Sequence, residues 1–280
     1  MSQPAERDYI LGTNDEEIRR LGLQHRVWRP AVLDCWQRAG ITVGSRVLDV
    51  GAGPGYATVD LAEIVGETGQ VIAVERSRRF ARAARDRCES QGLRQVQLLE
   101  LDLMTDPVPA EDMDAAWCRW VASFVSSPAL LLSKLARAVR PGGVAIFHEY
   151  VDYSTFRLAP RSPAVEAFVQ RVGDSWRASG GEPDVALALP SVLTQTGFRV
   201  RSATPKIFCV RPSDYVWQWP ASFIDINLKR MLELGQVDET WAAMVRHEFD
   251  TAGSNPDSLM FTPMVLEIVA QRTANPQLGR

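Results

Sequence analysis

The feature that most restricts what this chain can fold into is the run Val47-Leu48-Asp49-Val50-Gly51-Ala52-Gly53-Pro54-Gly55-Tyr56. A short apolar segment bounded by glycines reads as a buried strand. The glycines let the backbone approach a ligand closely, and the helix that opens at Tyr56 presents unpaired N–H groups to the loop. The spacing is GxGxG. A dinucleotide-binding turn, GxGxxG, would carry its third glycine where Tyr56 stands, so pyrophosphate binding is the weaker reading. The motif alone also allows a plain strand-to-helix turn without a ligand.

Downstream of the glycines the chain fits a parallel sheet with crossover helices, because short β-branched runs alternate with amphipathic stretches. The pattern predicts strands at Arg46–Val50, Gln70–Glu75, Val96–Leu101, Met113–Cys118 and Gly143–Glu149. Helices fall between them at Tyr56–Val65, Ser77–Gln91 and Pro128–Val139, with Gly66, Gly92 and Pro141-Gly142-Gly143 as stops. Ahead of this core, Asp15–Ala39 has a helical apolar stripe that Pro30 should break or kink. After it come helices near Pro163–Ala178, Asp184–Gln195, Ser213–Leu234 and Asp238–Thr251, and strands over Phe198–Val210 and Leu259–Ala270. No linker or internal repeat divides the chain. The expected organisation is one domain over 1–280: a helical cap at 1–40, a core at 41–150 and a variable region at 151–280.

Composition excludes several classes. With 46% apolar residues in 280, the chain buries enough surface to need no metal or disulfide. Cys35, Cys88, Cys118 and Cys209 form no CxxC pair and have no histidine at ligand spacing, so no metal site is expected and a reducing, cytoplasmic setting is. No run reaches the length of a membrane span, and residues 1–30 lack the apolar core of a signal peptide. A net charge of −3 argues against binding long stretches of phosphate backbone, and the arginines between Arg76 and Arg87 read as a solvated helix face.

The chemistry-bearing residues sit at successive strand ends. Glu75 closes the second predicted strand, where an ionised acid beside the glycine loop can accept both hydroxyls of a ribose. Asp102 comes just after the third, where its carboxylate can accept from an adenine amino group. His148, Glu149, Tyr150, Asp152 and Tyr153 cluster at the end of the fifth, and the unperturbed pKa of a histidine would suit His148 as a base at neutral pH. Tyr215, Trp217, Trp219 and Phe223 form a dense aromatic group that can line an apolar pocket or simply pack. His25 and His247 carry less weight, although His25 lies on the covering helix.

With the glycine loop, both acids and Arg140-Pro141-Gly142-Gly143 in place, residues 9 to 150 resemble the class I S-adenosylmethionine-dependent methyltransferases. The likeness is nearer to bacterial small-molecule enzymes of the ubiquinone/menaquinone-biosynthesis type and their natural-product relatives. It implies a Rossmann-like α/β sandwich whose mostly parallel seven-stranded sheet has the order 3-2-1-4-5-7-6, the last strand antiparallel, with an N-terminal helical cap and helical insertions after strand five. It also implies S-adenosylmethionine as cofactor and S-adenosylhomocysteine as product. Gly51, Gly53 and Gly55 would then line the cofactor loop, Asp49 would order the methionine amino group, Glu75 with Arg76 would take the ribose, and Asp102 with Leu103 the adenine. Cys118 and Arg119 would meet the methionine moiety through their backbone and sometimes their side chains, and Tyr9 and Gln24 would reach the carboxylate or cover the site.

The partner expected is a small-molecule methyl acceptor, not nucleic acid, and the protein a monomer or homodimer. Oxygen is the preferred acceptor atom over nitrogen or carbon, with His148 as the general base that helps it. The competing readings are a regulatory or non-methylating relative that binds the same cofactor and, further off, a nicotinamide oxidoreductase.

Overall fold

The computed structural model describes residues 12–274. Asn14 starts the first helix, α1 (Asp15–Ala39), by accepting from the Glu17 N–H at 2.9 Å. The expected break at Pro30 does not occur. Proline interrupts one hydrogen bond at a cost of about 3 kcal/mol, but Pro30 lies on the exposed side, and Trp28, Val32, Cys35 and Trp36 on the other side are fully buried.

The core then alternates as its apolar pattern predicts: β1 (Arg46–Val50), α2 (Tyr56–Val65), β2 (Gln70–Glu75), α3 (Arg78–Ser90), β3 (Val96–Glu100), β4 (Met113–Arg119), α4 (Pro128–Ala138) and β5 (Val139–Asp152). Beyond it run β6 (Arg157–Ala159), α5 (Pro163–Ala178), α6 (Leu189–Gln195), β7 (Phe198–Lys206), β8 (Cys209–Val210), α7 (Gln218–Glu233), α8 (Glu239–Ser254), β9 (Leu259–Phe261) and β10 (Met264–Arg272).

Seven strands form one sheet in the order β3-β2-β1-β4-β5-β10-β7. Counted along that sheet alone this is 3-2-1-4-5-7-6, and β10 runs antiparallel to both of its neighbours, as the sequence implies. The order reverses between β1 and β4, which pair in parallel, so their carboxyl ends diverge into a crevice. Strand β1 sends Val47 to one face, with Trp28 and Trp36, and Leu48 and Val50 to the other, with Leu131 and Leu135.

Two of the expected strands are split, and their pieces β8 and β9 join β6, a strand the pattern does not predict, in a second sheet of three strands, β6-β9-β8. Pro263 has no N–H with which to continue the ladder, so the last expected strand stops at Phe261 and resumes at Met264. Thr262 at this break accepts from the Phe208 N–H through Oγ1 at 3.0 Å, which joins the two interruptions.

Candidate active site

At the carboxyl edge of β1, β2 and β4 lies a cavity of about 1000 Å³. Asp49, Gly51, Gly53, Glu75, Arg76, Asp102, Leu103, Arg119 and Gln24 all contribute to its wall. The glycine loop owes its shape to Gly51 and Gly53, whose φ angles of 65° and 56° are left-handed. A Cβ on Gly51 would collide with Val121 Cγ2, whereas one on Gly53 would meet nothing within 4 Å. Open space therefore stands over Gly53.

Glu75 ties this loop to the sheet edge. Its Oε2 accepts from the Gly53 N–H and its Oε1 from the Ser77 N–H, both at 2.8 Å. Burial pushes its carboxyl above the usual range against the pull of those bonds. Asp102 is anchored in its own turn, with Oδ1 accepting from the Met104 N–H at 2.8 Å. Asp49 is buried on β1 and accepts from Thr58 Oγ1 at 2.6 Å; burial pushes its carboxyl up to about 6. The Arg119 guanidinium, pushed down by burial to about 10, donates from NH2 to His25 Nδ1 at 3.1 Å, while its NH1 is buried without a partner. One wall of the cavity thus offers carboxylates and the other a cation.

Helix α1 roofs part of this cavity with Leu21 and Gln24. It comes close because residue 22 is glycine: a Cβ there would lie 2.6 Å from the Tyr56 hydroxyl, which donates to the Ile18 carbonyl at 3.1 Å. Gln24 Oε1 accepts from Arg20 and from Trp219 Nε1, each at 3.0 Å, so the roof is held from both sides.

Residues 47–143 match the sequence profile of a family described as "Methyltransferase domain". Over that stretch the chain resembles the class I, S-adenosylmethionine-dependent methyltransferases. Among curated proteins it is similar to the ubiquinone/menaquinone biosynthesis C-methyltransferase UbiE of Erwinia tasmaniensis, 26% identical over 54% of this chain and 59% of that protein. The UbiE protein of Yersinia enterocolitica is likewise 26% identical, over 51% of this chain and 55% of the relative. The match thus spans little more than half the length of these relatives. Among solved structures, a putative methyltransferase from Bacillus halodurans superposes with a TM-score of 0.57 over 86% of this chain and 98% of its own, at 15% identity. The cyclase SpnF superposes at 0.53 over 86% of this chain and 80% of its own, at 19% identity. These structures share the fold.

The cavity fits S-adenosylmethionine, the cofactor of the proteins the chain resembles, on the structure's own terms. The space over Gly53, the acids at the ends of two strands and the partnerless donor on Arg119 suit an adenosine that carries a zwitterionic tail. Four expectations nevertheless need correction or fall outside this wall. Gly55 does not line the cavity: it starts α2, and a Cβ on it would lie 2.7 Å from Ala84 Cβ, so it serves the packing of α2 on α3. Cys118 is fully buried on the opposite face of β4 among Leu131 and Leu132, because consecutive residues of a strand point to opposite faces and Arg119 takes the cavity side. Tyr9 lies outside the described residues.

His148 is the fourth. It is 0% exposed and lies outside the cavity wall, with Nε2 3.1 Å from Glu267 Oε2 and its ring edge-on to Trp117 and Trp28. The expected base is therefore a packed interior residue. Its neighbourhood also corrects the reading of the cysteines, since donor atoms of Cys35, His148 and Glu267 lie within 4.8 Å of one another. Arg38 NH2 at 2.6 Å and Lys206 Nζ at 3.8 Å already neutralise Glu267, so this cluster is an ion-pair network joining α1 to the sheet.

The aromatic group ahead of α7 packs rather than lines: Trp217 lies against Phe249, Trp219 is buried against Trp28 and Trp120, and Tyr215 is exposed. The aromatic lining comes instead from Trp117, Trp120, Phe124 and Trp176, which sequence reasoning did not single out. Trp120 has a left-handed φ of 51°, uncommon for so large a residue, and no sequence pattern announces it. Glu149 shapes the segment after Trp120. Its carboxylate accepts from the N–H groups of Val121, Ala122 and Ser123 and from Ser123 Oγ.

Proposed function

We propose that the protein transfers a methyl group from S-adenosylmethionine to a small organic acceptor. The observation that carries this reading is the continuity of one cavity. It runs from the glycine loop and Glu75 to an aromatic end at Trp120, Trp176 and Gly180-Gly181, leaving room for a second molecule beside the cofactor. Because Trp176 and Gly180-Gly181 come after the cofactor-binding core, we read residues 151–280 as the acceptor-facing part of the same domain.

In this reading Glu75 accepts the ribose hydroxyls with the lone pairs that Gly53 and Ser77 leave, and Asp102 accepts from the adenine amino group beside Leu103. Arg76 covers the ribose from the solvent side. Asp49 faces the ammonium of the amino-acid tail and Arg119 its carboxylate, with Gln24 above them. The cofactor's sulfonium supplies an already activated methyl group. The chain's own task is then to hold the acceptor in line and keep water out, which the packed aromatic wall and the α1 roof favour.

The preference for oxygen rests on His148 and the aromatic group at Tyr215–Phe223, and neither reaches the cavity. The similar curated relatives are named C-methyltransferases. We therefore read the acceptor atom as carbon, in a molecule that gives up its proton without a histidine. A relative that binds the cofactor without transferring methyl is the second reading, and it draws on the fold likeness to a protein titled a cyclase.

Calorimetric titration with S-adenosylmethionine, S-adenosylhomocysteine and NADH tests the first step: micromolar binding of the first two and none of the third is expected. Incubation with labelled cofactor and a panel of phenolic, enolic and amine acceptors, with detection by mass spectrometry, tests the second. Label on carbon supports the reading, label only on oxygen or nitrogen overturns the choice of atom, and tight binding without transfer to any acceptor favours the non-methylating alternative.

A further inference from the structure

Three side chains from three elements form a hydrogen-bonded chain behind the cavity wall. His25 on α1 places Nε2 3.0 Å from Oδ2 of Asp60 on α2, and its Nδ1 3.1 Å from NH2 of Arg119 at the end of β4. A guanidinium has no lone pair to offer, so Nδ1 accepts from Arg119 and the ring's proton sits on Nε2, donated to Asp60. Arg29 Nε donates to the same Asp60 oxygen at 2.8 Å and holds it in place. His25 and Asp60 are both buried and neither lines the cavity, whereas Arg119 does, with NH1 buried and partnerless. With its lone pair engaged by Arg119, neutral His25 is not available as a base.

The geometry points to Asp60 and His25 as positioning residues that hold Arg119 in the orientation at which NH1 meets the carboxylate of the cofactor's amino-acid end. This rests on the cofactor reading above. Asp60 selects the tautomer of His25, the tautomer presents a lone pair to Arg119, and that lone pair leaves one guanidinium nitrogen to the ligand. The arrangement parallels the way a buried carboxylate orients an imidazole in hydrolytic triads, with an arginine in place of the nucleophile.

The chain fails in a defined direction of pH. His25 is faced by Asp60 and the Tyr56 ring from α2, by Arg119 from β4 and, through Asp60, by Arg29 of its own helix. Protonation would place an N–H on Nδ1, aimed at the Arg119 donor. Burial holds the ring's pKa below its ordinary value, with Asp60 opposing and Arg119 reinforcing, so the grip persists at neutral pH and is lost in acid. Asp49, at about 6, titrates in the same cavity, so the signature is a difference between wild type and a His25 variant.

The test is calorimetry with S-adenosylhomocysteine and with 5′-methylthioadenosine, which lacks the amino-acid end. In Asp60→Leu nothing accepts from Nε2, so the imidazole proton is no longer held there and the lone pair is no longer held on Arg119. Affinity for S-adenosylhomocysteine should fall about tenfold or more, and that for 5′-methylthioadenosine should stay within about twofold. In His25→Gln the side-chain oxygen can still accept from Arg119. That variant should keep most of its affinity at neutral pH and lose less than wild type as the pH is lowered through the acid range below the ordinary histidine value. Equal losses for both ligands in Asp60→Leu, no loss for either, or identical pH profiles of wild type and His25→Gln would each overturn the positioning role. Wild type that binds 5′-methylthioadenosine but not S-adenosylhomocysteine would do the same. Wild type that binds neither ligand would overturn the cofactor reading and this proposal with it.

Discussion

Two neighbouring residues on β5 carry ionisable groups into the interior, and neither reaches the cavity. His148 serves the Glu267 network, so His148→Gln should leave kcat within about threefold of wild type while lowering Tm. A base in the reaction would cost a factor of about 100 or more on removal, and steady-state rates beside a thermal melt separate the two outcomes. Glu149 is more consequential for shape. Glu149→Ala strands two buried N–H groups, a part-buried one and a buried hydroxyl, and urea unfolding should show a loss of about 3 kcal/mol or more. Its titration sets a sign as well. Burial pushes the carboxyl up to about 7 despite those donors, so its folded pKa lies above its unfolded one. The stability it contributes is then present below its unfolded value of about 4.5 and lost as pH rises through about 7. Wild type should therefore lose more stability than Glu149→Gln between about pH 5 and pH 8, and urea midpoints at the two ends would show it. At Glu75, removal of a charged acceptor should weaken S-adenosylhomocysteine about a hundredfold in Glu75→Ala, measured by calorimetry; unchanged affinity would remove it from the site.

At the scale of elements, the core helices that α/β patterning predicts stand where expected, whereas the later ones expected at Asp184–Gln195 and Ser213–Leu234 become α-helical only at Leu189 and Gln218. Helix α1 runs through Pro30 because its tryptophan-bearing face outweighs one missing bond, and the last strand divides because Pro263 cannot continue a ladder. Gly55 illustrates how a motif glycine can belong to packing. Gly55→Ala would demand a left-handed φ of 82° from a residue with a Cβ and bring that Cβ to 2.7 Å from Ala84. A loss of about 2 kcal/mol in urea unfolding is expected, partly restored by adding Ala84→Gly. The glycine pattern was legible in the sequence, but the division of labour among its members was not. Gly53 opens onto space and Gly55 onto a helix only once α3 is packed in place.

For the whole molecule, the cavity draws its walls from α1, the edge of the main sheet and the segment after α5, so its occupant should stabilise all of them together. S-adenosylhomocysteine at about a hundred times its Kd should add about 2.7 kcal/mol, read as a rise of several degrees in Tm. Among the described residues, no helix is long and apolar enough to cross a membrane. The sequence by itself determined the order of strands and helices in the core, the glycine loop and the acids at the end of β2 and just past β3. Each of these is written in local periodicity and in residues whose backbone preferences act over a few positions. Tertiary structure alone decided which neighbour faces the cavity: Arg119 rather than Cys118, and Trp120 and Trp176 rather than His148 and Trp219. The reason is that a strand offers two faces and a helix several. Which of them meets the cavity depends on contacts between segments far apart in the chain, such as His25 with Arg119 or Gln24 with Trp219, and those exist only after the layers have packed.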